Sequence, residues 1–360
     1  MDRKLRIFHG ADFHLDTPFG PADFGTPAQR RDQLRRAAEE LLDRAADCDL
    51  VLLAGDIFDA PRVYPESTKL LSRVFERLAL PVFIAPGNHD PYGPDSPWAR
   101  CAWPDNVHIF SSSQVQAVDL PDLGTTVYGA GFTGSQAKDL LAGFFVRDPD
   151  RLNVMVLHGD ATSAESIYNG ISTGQIADSG LDYLALGHLH APSGLIRAGA
   201  VFYAWPGCLL GRDFGETGQK GAYLVQVDKI GCALTFLQSP GPRWECMSCQ
   251  AAGDAAAAVR AAVAAVRPGD HLRLTVTGFA APFDPAELAK ACRGDLACLE
   301  LTDETVSLEN LWGQAGTDSL RGLFLANLLP QAQSEDPEQR ELARLAAVYG
   351  LAALEGREEP

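Results

Sequence analysis

The sequence predicts an α/β fold, with a layered sheet core flanked by helices, followed by a small α+β cap domain and a helical C-terminal tail. Three observations support this prediction. Short, almost purely apolar runs recur through the first two hundred residues, as is typical of strands covered on both faces. Helical patterns separate these runs. A Ser-Pro-Gly-Pro segment at 239–242 predicts a linker, after which the pattern changes.

The elements of the core follow in order from these patterns. Thr26-Pro27 predicts a helix start, and apolar residues recur at helical spacing from Leu34 to Leu42. A similar helical pattern runs from Glu66 to Leu78. The first set of predicted strands is 5–8, 50–53, 82–85, 152–157 and 183–186. A second set, joined by short turns, is 107–110, 115–118, 125–128, 201–204, 222–227 and 233–237. The core domain is therefore expected to span residues 1–239.

Two further regions follow the linker. Residues 243–303 are predicted to form the α+β cap domain, from strand-like segments at 244–250, 271–277 and 296–301 and helical ones at 254–266 and 285–292. Residues 304–360 have the pattern of a helical tail, with a break from Pro330 to Pro337.

Charge and cysteine content exclude several classes of protein. The chain has 30 basic and 47 acidic side chains, which gives a net charge of −17. A protein that holds nucleic acid by overall charge alone is therefore excluded, although a local cationic site is not. Eight cysteines in 360 residues are too sparse for a disulfide scaffold. No apolar stretch approaches the roughly 20 residues that span a membrane. We expect a cytoplasmic protein with no membrane partner.

Metal-ligating side chains follow the ends of five predicted strands. Because ligands bind beyond the carboxyl ends of strands in open α/β sheets, these segments should meet in one crevice. Five of the eight histidines in the chain lie in them. The segments are Asp12-Phe13-His14, Gly55-Asp56-Ile57-Phe58-Asp59, Gly87-Asn88-His89-Asp90, His158-Gly159-Asp160 and Gly187-His188-Leu189-His190.

This combination of residue types indicates a site for two metal ions. Imidazole and carboxylate groups suit borderline divalent ions, and no thiolate lies among these positions. A carboxylate has two oxygens and can bridge two ions about 3.5–4 Å apart, a spacing that clamps a phosphate group and activates water for in-line attack. Bound cations would also explain how so acidic a chain holds an anionic substrate.

The order of these five motifs resembles that of the calcineurin-like metallophosphoesterases. More narrowly, the chain is similar to nuclease subunits of bacterial double-strand-break repair complexes of the SbcD/YhaO type. The narrower similarity rests on three segments, which are 11–19, 205–212 and 216–221. The resemblance covers roughly residues 5 to 230. It implies a layered metallophosphoesterase β-sandwich core flanked by helices.

The resemblance also implies a role for each motif residue. Asp56 would bridge the two ions. His89 would face the scissile phosphate, and Asp59 would orient it, although a helix N-terminal cap accounts for Asp59 almost as well. Arg212 and Lys220 would contact substrate. The ligands of one ion would be Asp12, His14, Asp56 and His190, and those of the other Asp56, Asn88, His158 and His188.

The activity implied by the resemblance is metal-dependent hydrolysis of DNA phosphodiester bonds, exonucleolytic and endonucleolytic. Two divalent ions are expected, manganese first, with iron, zinc, nickel or magnesium as alternatives. The implied partners are DNA and an ATPase of the SbcC/YhaN type, and a homodimer is compatible with the resemblance. Two other hypotheses stay open. One is a small-molecule or nucleotide phosphodiesterase or phosphatase of the same superfamily, and the other is a non-catalytic protein that docks on the ATPase.

The end of the tail carries an apolar stripe with two interpretations. In a helix over 337–354, one face would carry Leu342, Leu345, Tyr349 and Ala352, with Val348 and Leu351 beside it. This stripe either packs back on its own domain or docks on the partner ATPase. Gly350 weakens the helix by about 1 kcal/mol relative to alanine, which is compatible with ordering on a partner.

Overall fold

The computed structural model describes residues 4–20, 25–59, 63–307 and 311–354. The chain divides into two compact units, Met1–Arg243 and Trp244–Pro360. Each unit is described by itself.

Two sheets form the core of the first unit. The strands are β1 Leu5–Gly10, β2 Leu50–Leu53, β3 Val82–Ile84, β4 Val107–Ile109, β5 Gln116–Leu120, β6 Thr125–Gly129, β7 Leu152–His158, β8 Tyr183–Gly187, β9 Ile196–Ala198, β10 Val201–Ala204, β11 Gly221–Val227 and β12 Cys232–Gln238. In the described part of the chain, one six-stranded sheet has the order β12-β11-β1-β2-β3-β4, and the other has the order β5-β6-β7-β8-β10-β9.

The central strands of each sheet run parallel, so that their carboxyl ends lie at the same edge. In the first sheet, β1, β2 and β3 are parallel neighbours, with Ile7 opposite Leu50. In the second, β7 and β8 are parallel, with Val154 opposite Tyr183. Apolar side chains from both sheets form one buried cluster between them, as in a β-sandwich.

Helices cover the outer faces of the sandwich. The helices of this unit are α1 Pro27–Asp43, α2 Pro65–Leu78, α3 Pro97–Arg100 and α4 Thr173–Asp178, with a short 3-10 helix at Pro121–Leu123. Thr26 caps α1 in a capping box with Gln29, as its sequence predicts. Leu34 and Leu41 of α1 pack against the first sheet. The predicted layered α/β core flanked by helices is confirmed.

The second unit contains a parallel sheet with crossover helices. β13 Trp244–Gly253, β14 His271–Ala280 and β15 Cys298–Asp303 pair in that order. Parallel neighbours need crossover connections, and α5 Ala255–Ala264 and α6 Pro285–Cys292 supply them. Both helices contribute to the buried cluster of this unit.

The tail differs from its predicted secondary structure in two places. Val306–Ser307 forms a short strand, β16, on β14, where the sequence predicts a helix. Pro330 lies inside α7 Leu320–Ala332, where the sequence predicts a break. A proline so near the last turn removes a single internal hydrogen bond, so the helix continues past it. Between these elements lies a 3-10 helix at Trp312–Gln314, and after them α8, Pro337–Leu354.

The two tail helices pack on each other through the side of the predicted stripe that carries Val348 and Leu351. Ala347, Val348 and Leu351 of α8 are buried in a cluster with Leu325 of α7. From the predicted stripe, Leu342 is 68% exposed and Tyr349 is 59% exposed, whereas the side chain of Ala352 lies outside the described residues. None of the helices in the described ranges is long and apolar enough to cross a membrane.

Candidate metal centre

The ends of five strands and the loops after them bring the predicted ligands to one edge of the sandwich. The first sheet supplies Asp12 and His14 after β1, Asp56 after β2, and Asn88 after β3. The second sheet supplies His158 at the end of β7, and His188 and His190 after β8. The site is therefore assembled from both sheets.

Four of these predicted ligands have a left-handed backbone. The φ angles are 52° at Asp12, 47° at His14, 51° at Asp56 and 104° at His188. Residues other than glycine adopt positive φ rarely, and each instance costs about 1–3 kcal/mol where it is strained. Such conformations cluster at functional sites, because the surrounding fold holds them in place.

Asp56 is buried at the centre of the site. Its Oδ1 accepts a hydrogen bond from the backbone N–H of His89 at 2.8 Å, and its Oδ2 lies 3.4 Å from Nε2 of His158. A Cβ on Gly87 would overlap the Asp56 carboxylate. The glycine of the Gly-Asn-His-Asp motif is therefore required by the close approach of this carboxylate.

Asp90 holds the loops around Asp56 through hydrogen bonds to their backbone. Its buried carboxylate accepts hydrogen bonds from the backbone N–H groups of Asp56, Ile57, Phe58 and Gly87, at 2.8–3.1 Å. Burial and the nearby Asp56 carboxylate raise the pKa of Asp90 to about 7. Asp90 thus positions the loops on either side of Asp56.

The acceptor atoms of His158, Asn88 and Asp56 converge. Nδ1 of His158 donates to the carbonyl oxygen of Ala54 at 2.9 Å, which leaves Nε2 as an acceptor. Burial lowers the pKa of His158, which favours the neutral ring. Its Nε2 nevertheless lies 3.0 Å from Oδ1 of Asn88, another acceptor. Converging acceptors in a buried place are stabilised by a cation.

His188 adjoins this group through its ring. The ring centroids of His158 and His188 are 5.3 Å apart. Partial burial lowers the pKa of His188 to about 4, so this ring too is neutral and has a nitrogen lone pair to offer at physiological pH. Its backbone N–H donates to the carboxylate of Asp12 at 2.9 Å, which links the two halves of the site.

A second group of acceptors consists of Asp12, His14 and His190, whose ligand atoms all lie within 4.8 Å of one another. Nε2 of His14 is 3.1 Å from Nε2 of His190. Nδ1 of His190 donates to Oε1 of Glu216 at 2.7 Å, so its Nε2 is an acceptor. Nδ1 of His14 is buried and has no hydrogen-bond partner among the described residues.

These observations show that the residues fit a pair of divalent ions. Two groups of nitrogen and oxygen acceptors flank Asp56, and both contain contacts that a cation would satisfy. Imidazole, carboxylate and amide ligands suit manganese, iron, zinc or nickel, and they do not select one of these.

His89 lies beside the ligands and is 43% exposed through its side chain. Its Nδ1 is 2.8 Å from Oδ1 of Asp59. This hydrogen bond raises the pKa of His89. Burial opposes ionisation of Asp59, but hydrogen bonds from His89 and Thr17 outweigh it and lower the pKa of Asp59. Helix α2 begins later, at Pro65, with Tyr64 as its N-cap, so Asp59 does not cap it.

The structure gives Arg212 and Lys220 contacts within the protein. Nζ of Lys220 donates to the carbonyl oxygen of His190 at 2.8 Å, and the side chain is buried. Arg212 pairs with Glu216, at 2.6 Å from Nη2 to Oε1. Sequence reasoning missed Glu216 as a site residue, although it lies in a segment that carried the family resemblance. It lies in a loop, where residue spacing gives no signal of a contact.

Comparisons with known proteins agree with this geometry. A model of the family described as "Calcineurin-like phosphoesterase" matches residues 5–192, which is more than half of the chain. The chain is 32% identical over 259 residues to "Uncharacterized metallophosphoesterase YhaO" of Bacillus subtilis, covering 68% of this chain and 63% of that protein.

Two further relatives have names that refer to nucleases or DNA repair. "DNA double-strand break repair protein Mre11" of Aeropyrum pernix is 28% identical, over 66% of this chain and 61% of that protein. A Staphylococcus epidermidis protein named as a component of the nuclease SbcCD is 25% identical, over 61% of this chain and 65% of that protein. The chain thus spans less than two thirds of the length of each of these relatives. The two predicted levels of resemblance are both confirmed, and the chain belongs to the calcineurin-like phosphoesterase family.

Proposed function

We propose that this protein is a metal-dependent DNA nuclease that hydrolyses phosphodiester bonds at a dinuclear site, as the nuclease subunit of an SbcCD-like repair complex. The observation that carries the proposal is the pair of acceptor groups on either side of the buried Asp56, with the exposed His89 beside them. The metal-ligand roles follow from it, with Asp56 shared between the two ions.

The side chains of the site have two proposed roles, which are metal binding and proton transfer. Divalent ions held here would neutralise the charge of a bound phosphodiester and make water a stronger nucleophile. Asp59 holds Nδ1–H of His89, which leaves Nε2 of His89 free to face the substrate. A protonated His89 would donate its Nε2 proton to the leaving oxygen as the phosphorus–oxygen bond breaks.

The proposed substrate class rests on the names of two relatives. One relative is named as a DNA double-strand break repair protein and another as a nuclease subunit. Because this chain is similar to both, we propose DNA as its substrate. A chain with a net charge of −17 would hold DNA through bound cations and local contacts.

We extend the proposal to the rest of the chain. Residues 1–239 would form the nuclease domain, 243–303 a cap that contacts DNA, and 304–360 a region that docks on an SbcC/YhaN-type ATPase. The exposed Leu342 and Tyr349 are the tail side chains suited to such docking. Manganese as the metal, assembly as a homodimer and a cytoplasmic location belong to the same proposal.

A substrate panel tests the proposed activity. The purified protein with Mn²⁺ would be assayed on end-labelled duplex DNA, hairpin DNA, a cyclic dinucleotide and bis(para-nitrophenyl) phosphate. We expect cleavage of the DNA substrates, its loss in Asp56→Asn, and its retention in Asp150→Asn, which changes an exposed carboxylate of the same type. Turnover of the cyclic dinucleotide or the diester without cleavage of DNA would indicate a small-molecule phosphodiesterase. Inactivity on all substrates with metal bound would favour a non-catalytic docking role.

A further inference from the structure

Arg212 connects the two carboxylates that hold the histidines of the site. Its guanidinium donates to Glu216 through Nη2 at 2.6 Å and through Nε at 3.2 Å. On its other side, Nη1 lies 3.6 Å from Oδ2 of Asp59. Glu216 accepts from His190, and Asp59 accepts from His89. One arginine therefore adjoins the partner of a proposed metal ligand and the partner of the proposed acid.

The position of Arg212 is itself fixed from several directions. Its backbone N–H donates to Oε2 of Glu216 at 2.8 Å, so that both oxygens of this carboxylate are engaged. Its carbonyl oxygen accepts from Arg30, whose guanidinium lies over the ring of Phe19 at 3.8 Å. The Arg212 side chain is 21% exposed. Because its guanidinium is held by these contacts, Arg212 has little freedom to move toward a substrate.

The contacts at Glu216 determine which nitrogen of His190 carries the proton. Nδ1 of His190 and Nη2 of Arg212 both lie on Oε1 of Glu216, 3.3 Å from each other. The guanidinium holds Glu216 in place through its hydrogen bonds, and Oε1 of Glu216 is the acceptor for both neighbours. Nδ1 of His190 must then be the donor, and Nε2 keeps its lone pair toward Asp12 and His14.

We propose that Arg212 is a positioning residue, which fixes the rings of His190 and His89 together through Glu216 and Asp59. The assignment replaces direct contact with substrate, which the sequence indicates for this residue. It rests on the proposed function for its catalytic part, whereas its metal-binding part can be measured without any substrate. Arg212 thereby links the metal position at Asp12, His14 and His190 to the proton donor.

The test compares Arg212→Gln, Arg212→Lys and wild type. Calorimetric titration of the metal-free proteins with Mn²⁺ measures the number and affinity of the ions, and bis(para-nitrophenyl) phosphate hydrolysis measures kcat and KM. For Arg212→Gln we expect one of two ions to bind about 10–100-fold more weakly, as is typical when the partner of a metal-ligating histidine is disturbed. We also expect a lower kcat with KM within about twofold of wild type. Arg212→Lys keeps the charge and should recover part of the metal affinity.

Two controls separate this role from general damage to the fold. Arg77→Gln removes an exposed arginine of α2 that pairs with Glu39 and Asp43 of α1. This variant should leave both metal affinities unchanged. In a Glu216→Gln background, Arg212→Gln should weaken metal binding by much less than in wild type, because both changes act through the same contact. Melting curves identify any variant that is unfolded. If Arg212→Gln is unfolded, the metal affinity and kinetics of Arg212→Lys test the positioning role instead.

Unchanged metal affinity with a raised KM would overturn the proposal and return Arg212 to substrate binding. Unchanged metal affinity and unchanged kinetics would overturn it as well. Failure of the DNA substrates alone would contradict the proposed function and leave the metal titration to decide the role of Arg212.

Discussion

The proposed function has the buried Asp56 carboxylate shared by two ions. We expect Asp56→Asn to lower the occupancy of both ions, because a neutral amide no longer balances two cations. His14→Ala should remove mainly one ion, since His14 lies in the group with Asp12 and His190. Metal analysis of the purified variants measures this. Two ions retained in Asp56→Asn would contradict the bridging role.

His89 differs from the ligands in its exposure and in its partner. Because it lies beside the ligand cluster and pairs with Asp59, we expect His89→Ala to keep its metal content and DNA affinity. Turnover should fall by about 10²–10⁴-fold if His89 transfers a proton. Single-turnover cleavage and filter binding measure the two quantities separately. Cleavage near the wild-type rate would show that a group other than His89 donates the proton.

The sequence predicts most residues of this site for a physical reason. Asp12 and Asp56 lie within three residues of the end of a buried strand and His158 is the last residue of one, and parallel strands bring such positions together. Glu216 belongs to a loop without periodicity, so only the folded chain shows that it reaches His190. Lys220 is not open to a substrate, because its side chain is buried against the carbonyl oxygen of His190.

At the scale of elements, His9 joins strand β1 to strand β8 in the opposite sheet. Its Nε2 donates to the carbonyl oxygen of Leu186, two residues before His188, and its Nδ1 accepts from the hydroxyl of Tyr183 at 2.9 Å. Burial lowers the pKa of His9 to about 3. The ring is therefore a neutral link between the sheets, and it contacts β8 close to the point where the loop with His188 begins.

This link predicts a dependence of stability on pH. Between pH 6.5 and about 3 the unfolded chain binds a proton at His9 that the folded chain does not bind, so the free energy of unfolding falls as the pH falls. The slope for one proton is about 1.4 kcal/mol per pH unit. We expect His9→Gln to be less stable at pH 7 and to lose stability less steeply below pH 6. Urea unfolding of the metal-free proteins at several pH values measures this, and parallel curves would exclude the effect.

The tail helices show how packing overrides local preference. Gly350 is unfavourable inside α8, but a Cβ there would overlap the ring of Phe324 on α7. The glycine is thus required by the close contact of two helices, a requirement that the sequence of α8 alone does not reveal. The same contact explains why the stripe at Leu342 and Tyr349 faces outward: the helix is turned so that Ala347 and Val348 are buried.

We therefore expect Gly350→Ala to destabilise the protein. The gain in helix propensity is about 1 kcal/mol, and the cost of overpacking is typically about 1–3 kcal/mol. Thermal melting of the variant measures the balance. Phe324→Leu should shorten the opposing side chain and make Gly350→Ala less costly in the double variant. A melting temperature raised by Gly350→Ala alone would show that Phe324 moves aside freely.

At the scale of the whole molecule, the proposed metal centre joins two sheets that are otherwise joined by apolar contacts and a few hydrogen bonds such as those of His9. Ions that bind only the folded chain should stabilise it by about 1.4 kcal/mol for each tenfold rise in free metal above the dissociation constant. We expect the melting temperature to rise with Mn²⁺ and to fall with chelator. A melting temperature that does not respond to metal would contradict a site shared by both sheets.

The left-handed backbone of the four ligands has a consequence for how this protein tolerates change. Without metal, the site combines a strained backbone with neighbouring buried carboxylates, and burial and the Asp56 charge raise the pKa of Asp12 well above its usual range. Stability and activity are therefore opposed at these positions. Asp56→Asn should melt at a higher temperature than wild type in chelator and at a lower temperature in Mn²⁺, so that the two proteins exchange rank. Under the proposed function, selection for stability alone would replace these four residues, whereas selection for metal binding would keep them.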